Sequence, residues 1–390
     1  MVSSSSNSQH APQQFIGLMS GTSLDGVDAV LASAASPDGA LKVLQHQHLP
    51  FNSTLRQSLL ALNSPGPDEL HRAALAANAI SQAYAQVVRS LLASAGCQPQ
   101  AVRALGAHGQ TVRHRPGEFD GQGYTIQLIN GALLAELTGI DVVCDFRSRD
   151  IAAGGQGAPL VPAFHAAVFA VPGLDRAVLN LGGMANLTLL AANGAVAGFD
   201  CGPGNALLDL WCERHLGQAF DAGGAWAASG RVNPGLLTAL MAEPFLAKLP
   251  PKSTGRDLFN APWLDATLRK LPADAQATAA DVQATLLQFT VSAAVQALLQ
   301  QMPTVRSLLV CGGGVLNGHL MATLRSTLPG VLVDSTDQAG LPPMQVEAAA
   351  FAWLARACLA QQAGNCPAVT GAAGLRRLGA IHPAHLRARA

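Results

Sequence analysis

Short apolar runs alternate with glycine-rich polar turns along this chain, and the apolar period changes from block to block. Residues 15–33 carry alternating apolar positions on either side of "SGTSLDG", which predicts a β-hairpin. "ALKVLQHQHLPF" predicts the next strand. From Thr54 to Ala95 the spacing becomes helical, through "LRQSLLALN" and then "DELHRAALAANAISQAYAQVVRSLLASA", with Asp68 placed to cap the second helix. "VRALGAHGQTVRHRP" predicts a short strand entering a polar loop. "YTIQLINGALLAELTGIDVVCDFRSRDIAAGGQGAPL" predicts a strand, a helix, a strand and a long Gly-rich loop.

A second block opens at residues 176–191, "RAVLNLGGMANLTLLA", again two apolar runs around a glycine turn. "GAVAGFDCGPGNALLDLWCERHL" predicts a strand, a loop and a helix from near Asn205. Residues 275–301 read as helix, "SLLVCGGGVLNGHLMATL" as strand, glycine turn and helix, and "MQVEAAAFAWLARACLAQQ" as a helix near the C-terminus. "PAVTGAAGLRRLGAIHPA" closes the chain as an irregular tail. Two glycine-turn hairpins, each opening an α/β block, suggest a duplicated architecture of two lobes with a cleft between them.

Composition narrows the class. The 390 residues carry 24 basic and 24 acidic side chains, which gives no handle for nucleic acid or an anionic membrane. No run of about 18 uninterrupted apolar residues predicts a membrane span. The chain is 49% hydrophobic but only 5% aromatic, with 39 glycines, as expected of a helix-rich α/β protein packed with small side chains. Its seven cysteines form no C-x-x-C pair, so reduced thiols in a cytoplasm are expected rather than a disulfide framework. "MVSSSSNSQHAPQQ" lacks the basic start and apolar centre of a secretory signal, and residues 1–14 are expected to be a disordered tail.

The turns carry the candidate chemistry. Gly21 and Gly26 have P-loop spacing, but Val27 and Asp28 stand where Lys and Ser/Thr belong, and a strand follows instead of a helix, which rejects a Walker-type site. Two uses remain for this turn. It joins two strands, for which Gly, Ser and Asp are the usual residues, or its amides and the hydroxyls of Ser20, Thr22 and Ser23 cradle an anion. In the second case Asp25 and Asp28 could hold Mg²⁺, which takes one or two carboxylates alongside phosphate oxygens. "LGGMAN" and "VCGGGVLNG" pose the same choice between tight connection and close ligand approach. Asp200, before Gly-Pro-Gly at a strand end, either shapes the loop or serves as a general base. "HGQTVRHRP" groups His108, Arg113, His114 and Arg115 without zinc-ligand spacing. "DFRSRD" offers Arg147 and Arg149 either to neighbouring acids or to an anionic substrate. Glu347 either complements a helix N-terminus or points at a ligand.

Taken together, "GLMSGTSLDGVDAVL", "AHGQTVRHRP", "DFRSRDIAAGGQGAPLVPAFH", "LNLGGMANLT", "GFDCGPGNALLD", "CGGGVLNGHLM" and "PAVTGAAGLRRLGAIHP" resemble the anhydro-N-acetylmuramic acid kinase family. That family belongs to the superfamily of acetate and sugar kinases, Hsp70 and actin. The resemblance runs from about residue 15 to the C-terminus, although "AAGLRRLGA" is less apolar than the strand usual there. It implies an α/β fold of two RNase H-like (actin-like ATPase) lobes with mixed five-stranded sheets, lobe I over 15–140 plus 348–390 and lobe II over 141–347, and a site in the interlobe cleft. It implies ATP and Mg²⁺, a small sugar substrate, a homodimer, and conversion of 1,6-anhydro-N-acetylmuramic acid to the 6-phosphate of N-acetylmuramic acid in murein recycling.

By motif match, the resemblance makes Asp200 the general base. It gives ATP the positions Gly21, Thr22, Ser23, Leu24, Asp25, Gly26, Val27, Asp28, Gly182, Gly183, Asn186, Gly312, Gly313 and Gly314, with the metal on Asp25 and Asp28. The sugar falls to Arg147, Arg149, Glu347, His108, Gln110, Gly202 and Asn205. Two other classes compete: a related sugar or acetate kinase, which needs a free acceptor group, and an Hsp70- or actin-like ATPase, which usually carries an added partner-binding domain.

Overall fold

The computed structural model describes residues 12–21, 23–34, 41–255, 258–271 and 277–384. Of the tail expected over 1–14, the first eleven residues lie outside this set, while Gln13 and Gln14 already belong to the first strand. Thirteen strands occur among the described residues, in chain order β1 (Gln13–Met19), β2 (Gly26–Ala34), β3 (Leu41–Pro50), β4 (Val102–Ala107), β5 (Gln110–Pro116), β6 (Gly123–Leu128), β7 (Val142–Cys144), β8 (Arg176–Leu181), β9 (Met184–Leu190), β10 (Val196–Pro203), β11 (Ser307–Cys311), β12 (Leu332–Ser335) and β13 (Ala380–His382).

The chain divides into two compact units, one over Met1–Val168 and Glu347–Ala390, the other over Phe169–Val346. The sheet of the first unit runs β13-β7-β4-β1-β2-β3. β1 pairs antiparallel with β2 and parallel with β4, and β4 pairs parallel with β7. The sheet of the second unit runs β10-β9-β8-β11-β12, with β8 antiparallel to β9 and parallel to β11. Strand for strand, both units build the same five-stranded order around their own first strand. The first unit adds β13 as a sixth, antiparallel edge strand beside β7.

Period-two burial explains the layers of the first unit. Ile16 and Leu18 of β1 join a core with the helix Glu69–Ala95, whereas Phe15 faces the helix Val346–Leu359 on the other side. That second helix lies directly on the sheet: a Cβ on Gly17 or Gly106 would run into the helix backbone at Ala348 and Phe351. In the second unit the helix Ala279–Gln301 fills the core; it is long and apolar enough to cross a membrane, but 78% of its most apolar window is buried within the fold.

Four local expectations change. Residues 141–168, read as the start of lobe II, belong to the first unit, because Val142–Cys144 pairs with β4 and β13. Glu347 likewise joins the first unit. The polar loop after "AHG" is a strand, β5, paired with β6 in a separate two-stranded sheet. Asp68 holds the N-cap position in a left-handed conformation (φ 52°) and makes no side-chain cap bond. Its neighbour Glu69 instead takes an ion pair from Arg113 at 2.7 Å. None of the seven cysteines forms a disulfide.

Candidate functional site

In the first unit, three predicted motifs meet at the carboxyl ends of the parallel strands, where α/β sheets place ligands. The turn after β1 is braced from below: the Ser20 hydroxyl bonds the Tyr84 hydroxyl at 2.8 Å and donates to Gly109 O at 3.1 Å. Ser20 is thus a buried brace and not an exposed anion ligand. Gln110 Nε2 donates to Gly21 O at 3.1 Å, so "HGQ" supports "SGTSLDG". Leu24 turns the chain with φ 57° and buries its side chain. Gly26 is glycine because β2 and β3 pack closely there: a Cβ would meet Leu49 O and the His48 ring. Val27 is wholly core. Gly21, by contrast, has only the Ser23 side chain and backbone near the position of a Cβ, with nothing closer than 3.5 Å. Thr22 lies outside the described residues.

The two aspartates of the turn differ. Asp25 is exposed, and its Oδ1 accepts from Ser23 Oγ at 2.8 Å. Asp28 Oδ1 takes hydrogen bonds from His46 Nε2 at 3.0 Å and His48 Nδ1 at 3.1 Å, both imidazoles coming from the neighbouring β3. Oδ1 of Asp28 is thus taken by two imidazoles, whereas the exposed Asp25 is the freer carboxylate for a cation. No group of three His, Cys, Asp or Glu among the described residues could hold a metal ion.

Arg147 and Arg149 separate as well. Arg147 is half-buried, donating through Nε and Nη2 to His108 Nε2 at 3.2 and 2.9 Å and through Nη1 to Gly157 O at 2.8 Å. Burial presses its pKa down to about 10, opposed by the nearby charge of Glu347. Burial, reinforced by the Arg147 charge, holds His108 neutral with a pKa pushed down to about 3. Arg147, His108 and Glu347 therefore form one cluster. Arg149 is exposed, has no hydrogen-bond or ion-pair partner among the described residues, and lines a cavity of about 430 Å³ with Asp145, Ser148 and Arg377. Asp150, also from this loop, is fully buried; it accepts from Gly157 N, Asn365 Nδ2 and Thr370 Oγ1 and fastens the loop to the C-terminal segment.

In the second unit the motifs converge on Asn205. Its N–H donates to Gly182 O at 2.8 Å and its Nδ2 to Leu181 O at 2.9 Å, while Gly204 N–H reaches Gly183 O at 2.9 Å. These bonds tie the β8–β9 turn to the start of the helix Ala206–Leu216. The glycines of "CGGG" again divide by role. Gly312 has φ 80° and lies against Asn180, and Gly314 packs on Leu181. Gly313, like Gly182, has nothing within 3.5 Å of where its Cβ would stand. Gly182 and Gly313 are thus the places where a ligand can approach the backbone. Gly202, with φ 148°, packs against Ala293 and Leu246.

Asn180, Asn186 and Asp200 stand in register across β8, β9 and β10, so their side chains share one sheet face. Their neighbours Leu179, Leu181, Leu187, Phe199 and Cys201 point into the core on the other face. Asp200 Oδ2 accepts from Ser253 Oγ and Thr254 N, both at 2.9 Å. Desolvation raises its pKa, and the Thr254 and Ser253 bonds and the Lys252 charge oppose that rise. Asn180 and residues 252–254 are not legible as site residues in the sequence, since one Asn in a strand and a polar "KST" carry no spacing signal.

Two α/β units share one five-strand order, and each carries a glycine turn open to a ligand at the ends of its parallel strands, the duplicated α/β class that the two hairpins imply. The model of the anhydro-N-acetylmuramic acid kinase family matches residues 13–384. The anhydro-N-acetylmuramic acid kinase of Variovorax paradoxus is 61% identical over 379 residues, covering 96% of this chain and 100% of that protein. The proteins of the same name from Pseudomonas putida and Cupriavidus metallidurans are 55% and 54% identical, each covering at least 95% of this chain and 99% of their own length. This chain belongs to the anhydro-N-acetylmuramic acid kinase family. It is an enzyme, a phosphotransferase to an alcohol acceptor.

Proposed function

We propose that this kinase uses ATP and water to open 1,6-anhydro-N-acetylmuramic acid and phosphorylate O6, giving N-acetylmuramic acid 6-phosphate and ADP in the cytoplasm as a step of murein recycling. Full-length family membership at up to 61% identity is the observation that carries this reading. The chemistry follows from the substrate. O6 is tied to C1 in the anhydro bridge, so there is no free 6-hydroxyl to phosphorylate. Water therefore attacks C1 and loses its proton to the Asp200 carboxylate. As the new C1–O bond forms, the C1–O6 bond breaks, and O6 takes the γ-phosphoryl group as ADP departs. Attack opposite O6 inverts C1, as in inverting glycosidases, but no acid need protonate O6 because phosphorus captures it.

The remaining residues bind and orient. Backbone amides at Gly21, Gly182, Gly183 and Gly313 are assigned to ATP, with Asn186 and Asn205 supporting the second turn. The exposed Asp25 carboxylate suits Mg²⁺ beside phosphate oxygens, where the ion would supply charge stabilisation to phosphoryl transfer. Glu347 is assigned to sugar hydroxyl or amide groups, with Arg147, His108 and Gln110 as its support. Arg149, whose guanidinium has no partner among the described residues, is the better placed of the two arginines to take the lactyl carboxylate. A homodimer is part of the same reading.

Incubation with the anhydrosugar, ATP and Mg²⁺ should yield the 6-phosphate and ADP in equal amounts, with N-acetylmuramic acid itself a poor acceptor. Preferential phosphorylation of the open sugar would instead make the chain an ordinary hydroxyl kinase.

A further inference from the structure

We propose that the strap Lys252-Ser253-Thr254 is a positioning device for the proposed base, clamping one oxygen of Asp200 so that the other is presented to the attacking water. The inference rests on the assignment of Asp200 as base. β10 is an edge strand of its sheet, and the strap extends it: Asp200 N–H donates to Lys252 O at 3.1 Å. The chain then turns back, and both Thr254 N–H and Ser253 Oγ–H converge on Asp200 Oδ2 at 2.9 Å. One carboxylate oxygen thus carries two donors, which fixes the side-chain torsion and leaves Oδ1 as the proton acceptor.

The strap is itself anchored. Lys252 Nζ donates to Leu246 O at 2.9 Å and Phe245 O at 3.4 Å, at the end of the short helix Pro244–Ala247. The ammonium also sits 5.0 Å from the centre of the Phe245 ring. Lysine there satisfies carbonyls at a helix C-terminus while holding a positive charge near the Asp200 carboxylate. Thr254 Oγ1 is buried without a hydrogen-bond partner among the described residues. A hydroxyl in that condition, next to the proposed base, is a ready contact for substrate or water. A strap built only to cover the edge strand would need neither two donors on one carboxylate oxygen nor an unpartnered buried hydroxyl.

The test is the pH profile of kcat/KM for Ser253→Ala, with Ser253→Thr as the conservative variant. Ser253 is exposed, so its loss should leave the fold intact. Removing one donor to a carboxylate raises the pKa of that carboxylate. The acid limb should move up by roughly one pH unit, with about a tenfold loss on the acid side that disappears at high pH. Ser253→Thr should restore the limb. A uniform loss at all pH values, or an unmoved limb, overturns the positioning role. Asp200→Asn separates the two ideas: if it retains turnover, the base assignment itself fails, whereas a dead Asp200→Asn beside an unmoved Ser253→Ala limb sinks the strap alone.

Discussion

Arg147 grips His108 by two guanidinium nitrogens, at 3.2 and 2.9 Å from the same imidazole Nε2. That geometry makes Nε2 an acceptor, so the ring is neutral and its proton sits on Nδ1. His108 therefore orients Arg147 and does not shuttle protons. His108→Ala leaves two donors of the half-buried guanidinium unpaired, at a cost of about 1–3 kcal/mol. Thermal melting should show the loss, and the pH dependence of kcat should keep its shape; a displaced basic or acidic limb would mean that His108 titrates in the reaction.

Burial gives the protein an acid-sensitive stability. His108 and His165 are buried, with pKa values pushed down to about 3, and desolvation takes His114 to about 4. In each case the folded value lies below the unfolded one of 6.5. The unfolded chain thus binds protons that the native state refuses. The stability so contributed is fully present above about pH 6.5 and is lost as pH falls toward 3–4, at up to ~1.4 kcal/mol per pH unit for each buried histidine. Urea midpoints should fall clearly between pH 7.5 and pH 5, and a constant midpoint would refute the assignment.

The glycines divide into those that packing requires and those that a ligand requires. Gly26→Ala drives a methyl into Leu49 O and His48, and should destabilise the fold by about 1–3 kcal/mol. Gly182→Ala and Gly313→Ala meet nothing closer than 3.5 Å, so both should melt near the parent temperature yet raise the KM for ATP several-fold. Equal behaviour of the three variants in melting and kinetics would undo the distinction.

Asp25 and Asp28 should part company in Mg²⁺ titrations. Asp25→Asn is expected to raise the Mg²⁺ needed for half-maximal activity several-fold, while Asp28→Asn leaves it unchanged. Asp28 loses two imidazole contacts instead, an effect that should register in stability. The reverse pattern would return the metal to Asp28.

The sequence shows its hairpins, long helices and duplicated glycine turns plainly, because each rests on local period or turn chemistry. The hairpins account for the β1–β2 and β8–β9 neighbours, while β4, β7, β11 and β12 take their places by parallel pairing. What stayed hidden depends on long-range pairing. β13 is three residues long and becomes a strand only by adding to β7. Residues 141–168 read as the start of a new lobe until Val142 and Val143 pair with Leu105 and Gly106. Within the candidate site, the motifs name loops but not the orientations of their side chains. "DFRSRD" cannot reveal that Arg147 turns inward to His108 while Arg149 lines a cavity, nor "SGTSLDGVD" that Asp28 is held by a histidine pair from β3. The strap on Asp200 comes from 53 residues along the chain, and only the fold brings it there.

The central claim concerns the base and the bond it helps to break. Asp200→Asn should retain ATP binding and a parent-like melting temperature while turnover falls by at least about 10²-fold. The most direct measurement is mass spectrometry of the sugar formed from 1,6-anhydro-N-acetylmuramic acid, ATP and Mg²⁺ in ¹⁸O-labelled water. The label should enter at C1 oxygen in step with phosphorylation of O6, and the Asp200→Asn protein should form neither. A 6-phosphorylated product without ¹⁸O at C1, or labelling that survives Asp200→Asn at the parent rate, would contradict the account.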